Sequence, residues 1–184
     1  MPQLSKHYAG WNHWYHITAT AYGQWLRGDP RGWRERHHRL HVAGGYKNSP
    51  PPSGYNTAIF ELSQYLLKHD AQFFLPEDRQ FIGEIFLETF EFQKVTARML
   101  AVGGEHVHGL VNYPEDNPEL LLGRSKQFVW TKFHEGLPKP WPKLWAKRPY
   151  CKPIRDEKHY AEALSYIADH RKDGAWVWEK ALAK

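Results

Sequence analysis

Cysteine is almost absent from this sequence of 184 residues, in which Cys151 is the single example. One thiol cannot close an intramolecular disulfide and cannot supply an all-cysteine zinc site. Long apolar runs are missing too: residues 1–14 have none of the kind found in a signal peptide, and no stretch reaches membrane-spanning length. We therefore expect a cytoplasmic protein that does not use a membrane as partner.

A strong excess of one charge is also missing, since 25 Lys and Arg stand against 20 Asp and Glu, for a net charge of +5. This mild basicity favours binding of a phosphate backbone, but it is common among enzymes as well. Aromatic residues are plentiful, with nine Trp and ten Tyr, and 41% of residues are hydrophobic. That composition excludes a disordered tail and predicts one packed domain over residues 1–184.

Apolar periodicity predicts an α+β fold in which helices pack on an antiparallel sheet. Strands and one extended segment are predicted in the following places: residues 14–22, 95–102, 105–112 and 144–154. Helices are predicted in four others: residues 57–70, 76–92, 115–133 and 156–170. Asp156 is the expected N-cap of the last helix, and Gly174 is expected to stop the chain from continuing it.

Arginine and tryptophan alternate in the loop that follows the first predicted strand. Arg27, Arg31 and Arg34 are interleaved with Trp25 and Trp33. Guanidinium and indole groups together suit contact with phosphates and bases of a nucleic acid. A solvated loop that is pinned by its tryptophans explains the same pattern equally well, so both interpretations stand at this point.

Two pairs of residues have spacings that suit a chemical site. His106 and His108 lie two apart on a predicted strand, so both imidazoles project from one face and can bind a divalent metal. Tyr166 and His170 lie four apart on a predicted helix and therefore share a helical face. Tyr160 is the competing phenol, but it faces elsewhere on that helix. Chance also produces such pairs in a chain with 12 His.

These residues resemble the HUH endonucleases, in particular the single-tyrosine transposases of insertion sequences and their REP-associated relatives. The resemblance is strongest over residues 95–178. The segments that carry it read EHVH, LWAKR, IRDE, YI and GA, at residues 105–108, 144–148, 154–157, 166–167 and 174–175. The resemblance implies a ferredoxin-like antiparallel sheet, and residues 23–76 then form an elaboration that the minimal domain does not need.

The resemblance also implies an activity, the cleavage and rejoining of single-stranded DNA at a specific sequence or hairpin, as in DNA transposition. Tyr166 takes the position of the nucleophile, which forms a 5′-phosphotyrosine and frees a 3′-OH. His106, His108 and His170 take the positions that hold a divalent metal, with Mg²⁺ or Mn²⁺ expected. The family often has Gln or Asn as the third ligand, and an all-histidine set also suits softer metals. Gly109 departs from the larger residue usual there, which we expect to change strand packing only.

Single-stranded or hairpin DNA is the implied partner, and both monomers and homodimers occur in the family. Lys147, Arg148 and Lys152 are the nearest cations in sequence, either as contacts to the DNA backbone or as solvated charges. Three other interpretations remain: a DNA-binding protein that has lost cleavage, a metal-dependent phosphoesterase that uses bound water, and three histidines with no common role.

Overall fold

The computed structural model describes residues 11–31, 33, 57–114, 117–135, 143–147 and 149–181. Over these ranges, five strands form one antiparallel sheet in the order β4-β1-β3-β2-β5, and four α-helices accompany it. The strands are β1 (Trp14–Thr20), β2 (Thr96–Val102), β3 (His106–Asn112), β4 (Tyr150–Pro153) and β5 (Trp176–Glu179). The helices are α1 (Thr57–Tyr65), α2 (Pro76–Phe92), α3 (Pro118–His134) and α4 (Glu157–Asp169).

The topology is ferredoxin-like. The chain order β1-α2-β2-β3-α3-β4, with the strands arranged β4-β1-β3-β2, agrees with the ferredoxin-like sheet that the resemblance implies. The central pairing of β1 with β3 places Thr18 opposite His108 and Thr20 opposite His106. The α+β class is therefore confirmed, and the register brings β1 side chains beside the histidine pair.

Alternating side chains along the strands give the sheet two covered faces. On one face Ile17 and Ala19 of β1 join Phe86 of α2 and Leu122 of α3 in the larger core. On the other face α4 covers a smaller apolar cluster, which contains Met99, Ala101, Leu110, Ile154, Ala163 and Ile167. His106 and His108 lie on the α4 face, because they share the alternation of Leu110. Gly109 lies on the opposite face, where a Cβ would stand 3.0 Å from Ile17.

The last helix is capped as predicted. The Asp156 carboxylate accepts a hydrogen bond from the backbone N–H of His159 at 2.8 Å, which satisfies a donor that the helix itself leaves free. A 3₁₀ turn, His170–Asp173, follows α4, and Gly174 ends it with a φ of 76°. Only glycine adopts this left-handed conformation without strain.

Two boundaries and one element differ from the prediction. Helix α1 ends at Tyr65, five residues before the predicted end at residue 70. Strand β4 begins at Tyr150, six residues after the start of the extended segment predicted at residues 144–154. Strand β5 was not predicted, because four residues give too short an alternation. The contact that fixes β5 is remote in sequence: the Trp176 ring occupies the space where a Gly83 Cβ would stand, 2.1 Å from it.

Some predictions concern residues outside the described ranges, among them those for Arg34 and Arg148. Of the elaboration predicted at residues 23–76, residues 32 and 34–56 also lie outside the described ranges. Within the described ranges, no helix combines the length and the apolar character needed to cross a lipid bilayer.

Candidate metal centre and nucleophile

Three histidines from two parts of the chain meet on the α4 face of the sheet. His106 and His108 project together from β3, and His170 is the first residue of the turn after α4. The ring centroids of His106 and His108 are 4.5 Å apart, and the His170 ring lies 5.5 Å and 4.7 Å from them. One nitrogen from each ring lies within 4.8 Å of the others, so the group can hold a metal ion.

Tyr166 lies beside this group. Its ring centroid is 4.8 Å from that of His170 and 5.3 Å from that of His108, and the side chain is 50% exposed. Burial of part of the ring, and then the negative charge of Asp173, raise the pKa of the Tyr166 phenol above its ordinary value. The hydroxyl is therefore protonated at neutral pH, and a nearby positive charge is needed to make it a better nucleophile.

Tyr160 is held away from the histidines. Its ring packs edge-on against Trp14, with centroids 5.1 Å apart, and against Trp11 at 5.9 Å. Of the two phenols on α4, the structure brings only Tyr166 into contact with the histidine rings.

In two of the three rings, hydrogen bonds determine which nitrogen is free to bind a metal. The Nδ1 of His170 lies 2.9 Å from the carbonyl oxygen of Tyr166, and because a carbonyl only accepts, this nitrogen carries the hydrogen. The Nδ1 of His108 lies 3.1 Å from both the Nε2 of His16 and the Oγ1 of Thr18. In both rings Nε2 is left as the nitrogen that can bind a metal.

The His106 ring differs from the other two, because it has no hydrogen-bond partner among the described residues. Both of its nitrogens are buried, and neither has a hydrogen-bond partner within the part of the chain that the structure describes. A buried polar atom without a partner costs about 1–3 kcal/mol. A metal ion bound to one nitrogen removes that cost at this atom, so the donor set fits a metal.

His16, His106 and His108 are electrically neutral at physiological pH. Burial, followed by the charges of neighbouring cationic groups, lowers the pKa of His16 and of His106 to about 4. Burial also lowers the pKa of His108 well below its ordinary value. A metal binds the neutral imidazole, so His106 and His108 are in the binding form without losing a proton.

The lowered pKa values make stability depend on pH. His16 and His106 titrate near 4 in the fold, whereas the ordinary value is 6.5, so the unfolded chain binds more protons between these limits. Stability is thus full above 6.5 and is lost as pH falls toward 4, by up to about 3 kcal/mol for each ring. We expect the urea midpoint of the metal-free protein to fall over this range. In a His16→Asn variant, the urea midpoint should fall less over the same pH range. An equal fall in both proteins would contradict the lowered pKa of His16.

The cations predicted to contact DNA lie in different places. Lys152 is exposed on β4 and pairs in register with His16, and its charge helps to lower the pKa of that histidine. Lys147 lines a separate cavity with Lys126 and Trp145, between α3 and the segment before β4. Lys152 is therefore the one of these lysines that lies on the histidine face.

The arginines of the first loop are engaged by aromatic and acidic groups. The Arg27 guanidinium lies 5.6 Å from the centre of the Trp33 ring, and Arg31 lies 4.8 Å from that of Trp25. Arg31 also forms ion pairs with Asp29 and with Glu105, the residue that precedes His106.

Three residues that line or contact the site were not predicted: His16, Thr18 and Tyr150. Trp25 was predicted as a possible base contact of the first loop, without a position beside the histidines. The signal for His16 and Thr18 was present, because the alternation of the predicted strand 14–22 places them on one face. Their position beside His108 follows only from the pairing of β1 with β3, which no local pattern reveals.

Comparison with models of protein families gives no match, and comparison with curated proteins gives none. Among solved structures, the REP-associated tyrosine transposase bound to a REP hairpin matches with a TM-score of 0.51 and 14% identity. The match covers 94% of this chain and 74% of that chain. An identity this low shows the fold, and at that level the resemblance found in the sequence is confirmed. This chain has the fold of a REP-associated tyrosine transposase.

Proposed function

We propose that this protein cleaves and rejoins single-stranded DNA through a covalent bond between Tyr166 and a 5′-phosphate. One observation carries the proposal: a half-exposed phenol lies against three histidine rings that can hold a metal. The shared fold supports it, and the hairpin bound to the matching transposase makes a strand with a hairpin the substrate of choice.

The reaction exchanges one phosphoester bond for another. The Tyr166 oxygen attacks the scissile phosphorus, and the bond from phosphorus to the 3′-oxygen breaks. The phenol loses a proton and the departing 3′-oxygen gains one, which leaves a 5′-phosphotyrosine and a free 3′-OH. Attack by the 3′-OH of another strand reverses the step, so joining needs no ATP.

His106, His108 and His170 are the proposed ligands of a divalent metal, with Mg²⁺ or Mn²⁺ expected. When bound, the ion supplies positive charge to the non-bridging oxygens of the scissile phosphate. Three imidazoles are a softer donor set than Mg²⁺ prefers, which favours Mn²⁺ of the two. Lys152, on the same face of the sheet, is the proposed contact to the DNA backbone.

His16 and Thr18 position a ligand rather than bind the metal. Both lie 3.1 Å from the Nδ1 of His108 and so hold the orientation of its ring. We expect His16→Ala to weaken Mn²⁺ binding about 10- to 100-fold, as the loss of such a partner usually does. Isothermal titration calorimetry measures the effect, and His69→Ala, an exposed histidine outside the site, is the control. Equal affinities in the two variants would contradict this role.

The proposal is tested by trapping the covalent intermediate. The protein is incubated with a 5′-labelled and a 3′-labelled hairpin-bearing single strand in Mn²⁺, denatured and run on a gel. We expect the strand segment 3′ of the break to stay on the protein, and peptide mass spectrometry to place it on Tyr166. The mass of the native adduct also measures whether the active unit is a monomer or a homodimer.

Two other outcomes distinguish the alternatives. Metal-dependent cleavage without an adduct would favour a phosphoesterase that uses bound water. Binding of the hairpin without cleavage would favour a DNA-binding protein that has lost the reaction.

A further inference from the structure

Three exposed aromatic side chains surround the mouth of the histidine site. Trp25 is 45% exposed, Tyr150 is 58% exposed and Tyr166 is 50% exposed. All three line one cavity of about 300 Å³, together with Thr18, Thr20, His106 and His108. Large aromatic side chains are usually covered in a folded protein, so their convergence at one cavity requires an explanation.

Trp25 is held in place by a chain of charged contacts. The Arg31 guanidinium lies 4.8 Å from the Trp25 ring centre. Arg31 is in turn fixed by Asp29, whose side chain is 1% exposed and whose oxygens accept hydrogen bonds at 2.6–2.9 Å, and by Glu105. Two carboxylates already balance the charge of Arg31. This favours a role for Arg31 in orienting Trp25 rather than in binding a phosphate. Glu105 also precedes His106 in the chain, so the Arg31 contacts that hold Trp25 are connected directly to the histidine site.

The backbone of Trp25 is strained. Its φ is +54°, in the left-handed region that bulky residues rarely adopt. Such a conformation costs on the order of 1–3 kcal/mol, and it persists where the surroundings enforce it, often at functional sites. Here it places an indole at the cavity that contains the histidines.

Tyr150 reaches the same cavity from the other side of the site. It is the first residue of β4 and pairs in register with Thr18, which contacts His108. Trp25, by contrast, comes from the loop after β1. The cavity thus has an aromatic ring on the β4 side and another on the loop side.

We propose that Trp25 and Tyr150 are stacking platforms for the nucleobases on either side of the scissile phosphate. This inference rests on the proposed function, since it needs a single strand in the site. Unpaired bases expose their faces, and stacking on an aromatic ring is tolerant of base identity. The first loop then supplies a substrate-binding residue, and recognition of a particular sequence is left to other surfaces.

The test compares a strand that has bases with one that has none. An oligo-dT strand and a matched strand of abasic deoxyribose phosphates carry the same charge. A difference in the affinity of the protein for the two strands therefore measures base stacking. Binding is measured by fluorescence anisotropy in the Tyr166→Phe background, which keeps the strand intact and the ring in place. We expect Trp25→Ala and Tyr150→Ala each to weaken oligo-dT binding roughly 5- to 150-fold and to leave abasic binding unchanged.

Controls separate stacking from folding. Tyr65→Ala removes an aromatic side chain that is 85% exposed and outside the cavity, and it should change neither affinity. Should Trp25→Ala fail to fold, Trp25→Phe and Trp25→Leu retain apolar volume, and only the phenylalanine variant should retain most of the affinity for oligo-dT.

Two results would overturn the inference: an equal loss for both strands, or no loss for either. If the background protein binds neither of these strands nor the hairpin-bearing strand, the proposed function fails and this inference with it. If it binds the hairpin-bearing strand alone, only this inference fails. If stacking is observed but the protein with Tyr166 intact forms no adduct, the proposed function fails alone.

Discussion

Replacing Tyr166 with phenylalanine is expected to abolish the covalent adduct and to reduce strand cleavage by on the order of 10³-fold or more. The change removes one oxygen and keeps the ring that packs against His108 and His170. DNA affinity should therefore stay unchanged, because the lost atom acts in the reaction and not in the packing. Denaturing gels measure the adduct, and anisotropy with the hairpin strand measures the binding.

Tyr160→Phe is the matched control, since both phenols lie on α4 and only their surroundings differ. Its ring packs against Trp11 and Trp14, so its loss of a hydroxyl should leave adduct formation intact. An adduct that persists in Tyr166→Phe but disappears in Tyr160→Phe would show that Tyr160, and not Tyr166, is the nucleophile. Persistence in both would point to a nucleophile other than these tyrosines.

Replacing His106 with leucine is expected to have opposite effects on metal binding and on stability. Loss of one of three ligands should weaken Mn²⁺ binding at least about 100-fold and should reduce cleavage accordingly. The metal-free protein should nevertheless keep or gain stability. Leucine removes two buried nitrogens that have no partner within the described residues, a cost of about 1 kcal/mol or more.

Calorimetric titration with Mn²⁺ and a urea melt of the metal-free variant measure the two effects separately. His69→Leu, at an exposed position outside the site, should alter neither. A His106→Leu protein that binds Mn²⁺ normally would remove His106 from the ligand set. A large loss of metal-free stability would mean that its nitrogens have partners outside the described residues.

Local patterns predicted the parts of the site that lie within one element. The period of two placed His106 and His108 together on β3, and the four-residue spacing placed Tyr166 beside His170. Both relations depend only on the geometry of an isolated strand or helix. The same holds for the caps of α4, which local hydrogen bonding decides.

Contacts between distant segments could not be predicted in this way. His16 lies beside His108 because β1 and β3 pair in one register, and a shift by one residue would turn His16 to the other face. Trp25 joins the cavity through Arg31 and Glu105, which lie in separate parts of the chain. Strand β5 depends on Trp176 meeting α2. Each of these contacts depends on tertiary packing, which produces no periodic pattern in the amino-acid sequence.

The hydrogen bond from His170 to the carbonyl of Tyr166 has a geometric consequence. It spans one helical turn, so the proposed nucleophile and the proposed third ligand are carried by one continuous segment of the chain. A movement of α4 relative to β3 changes both positions together and changes their separation little. In the proposed reaction, the spacing of these two groups is thus set by the chain itself, and an incoming strand would have to align its phosphate with them.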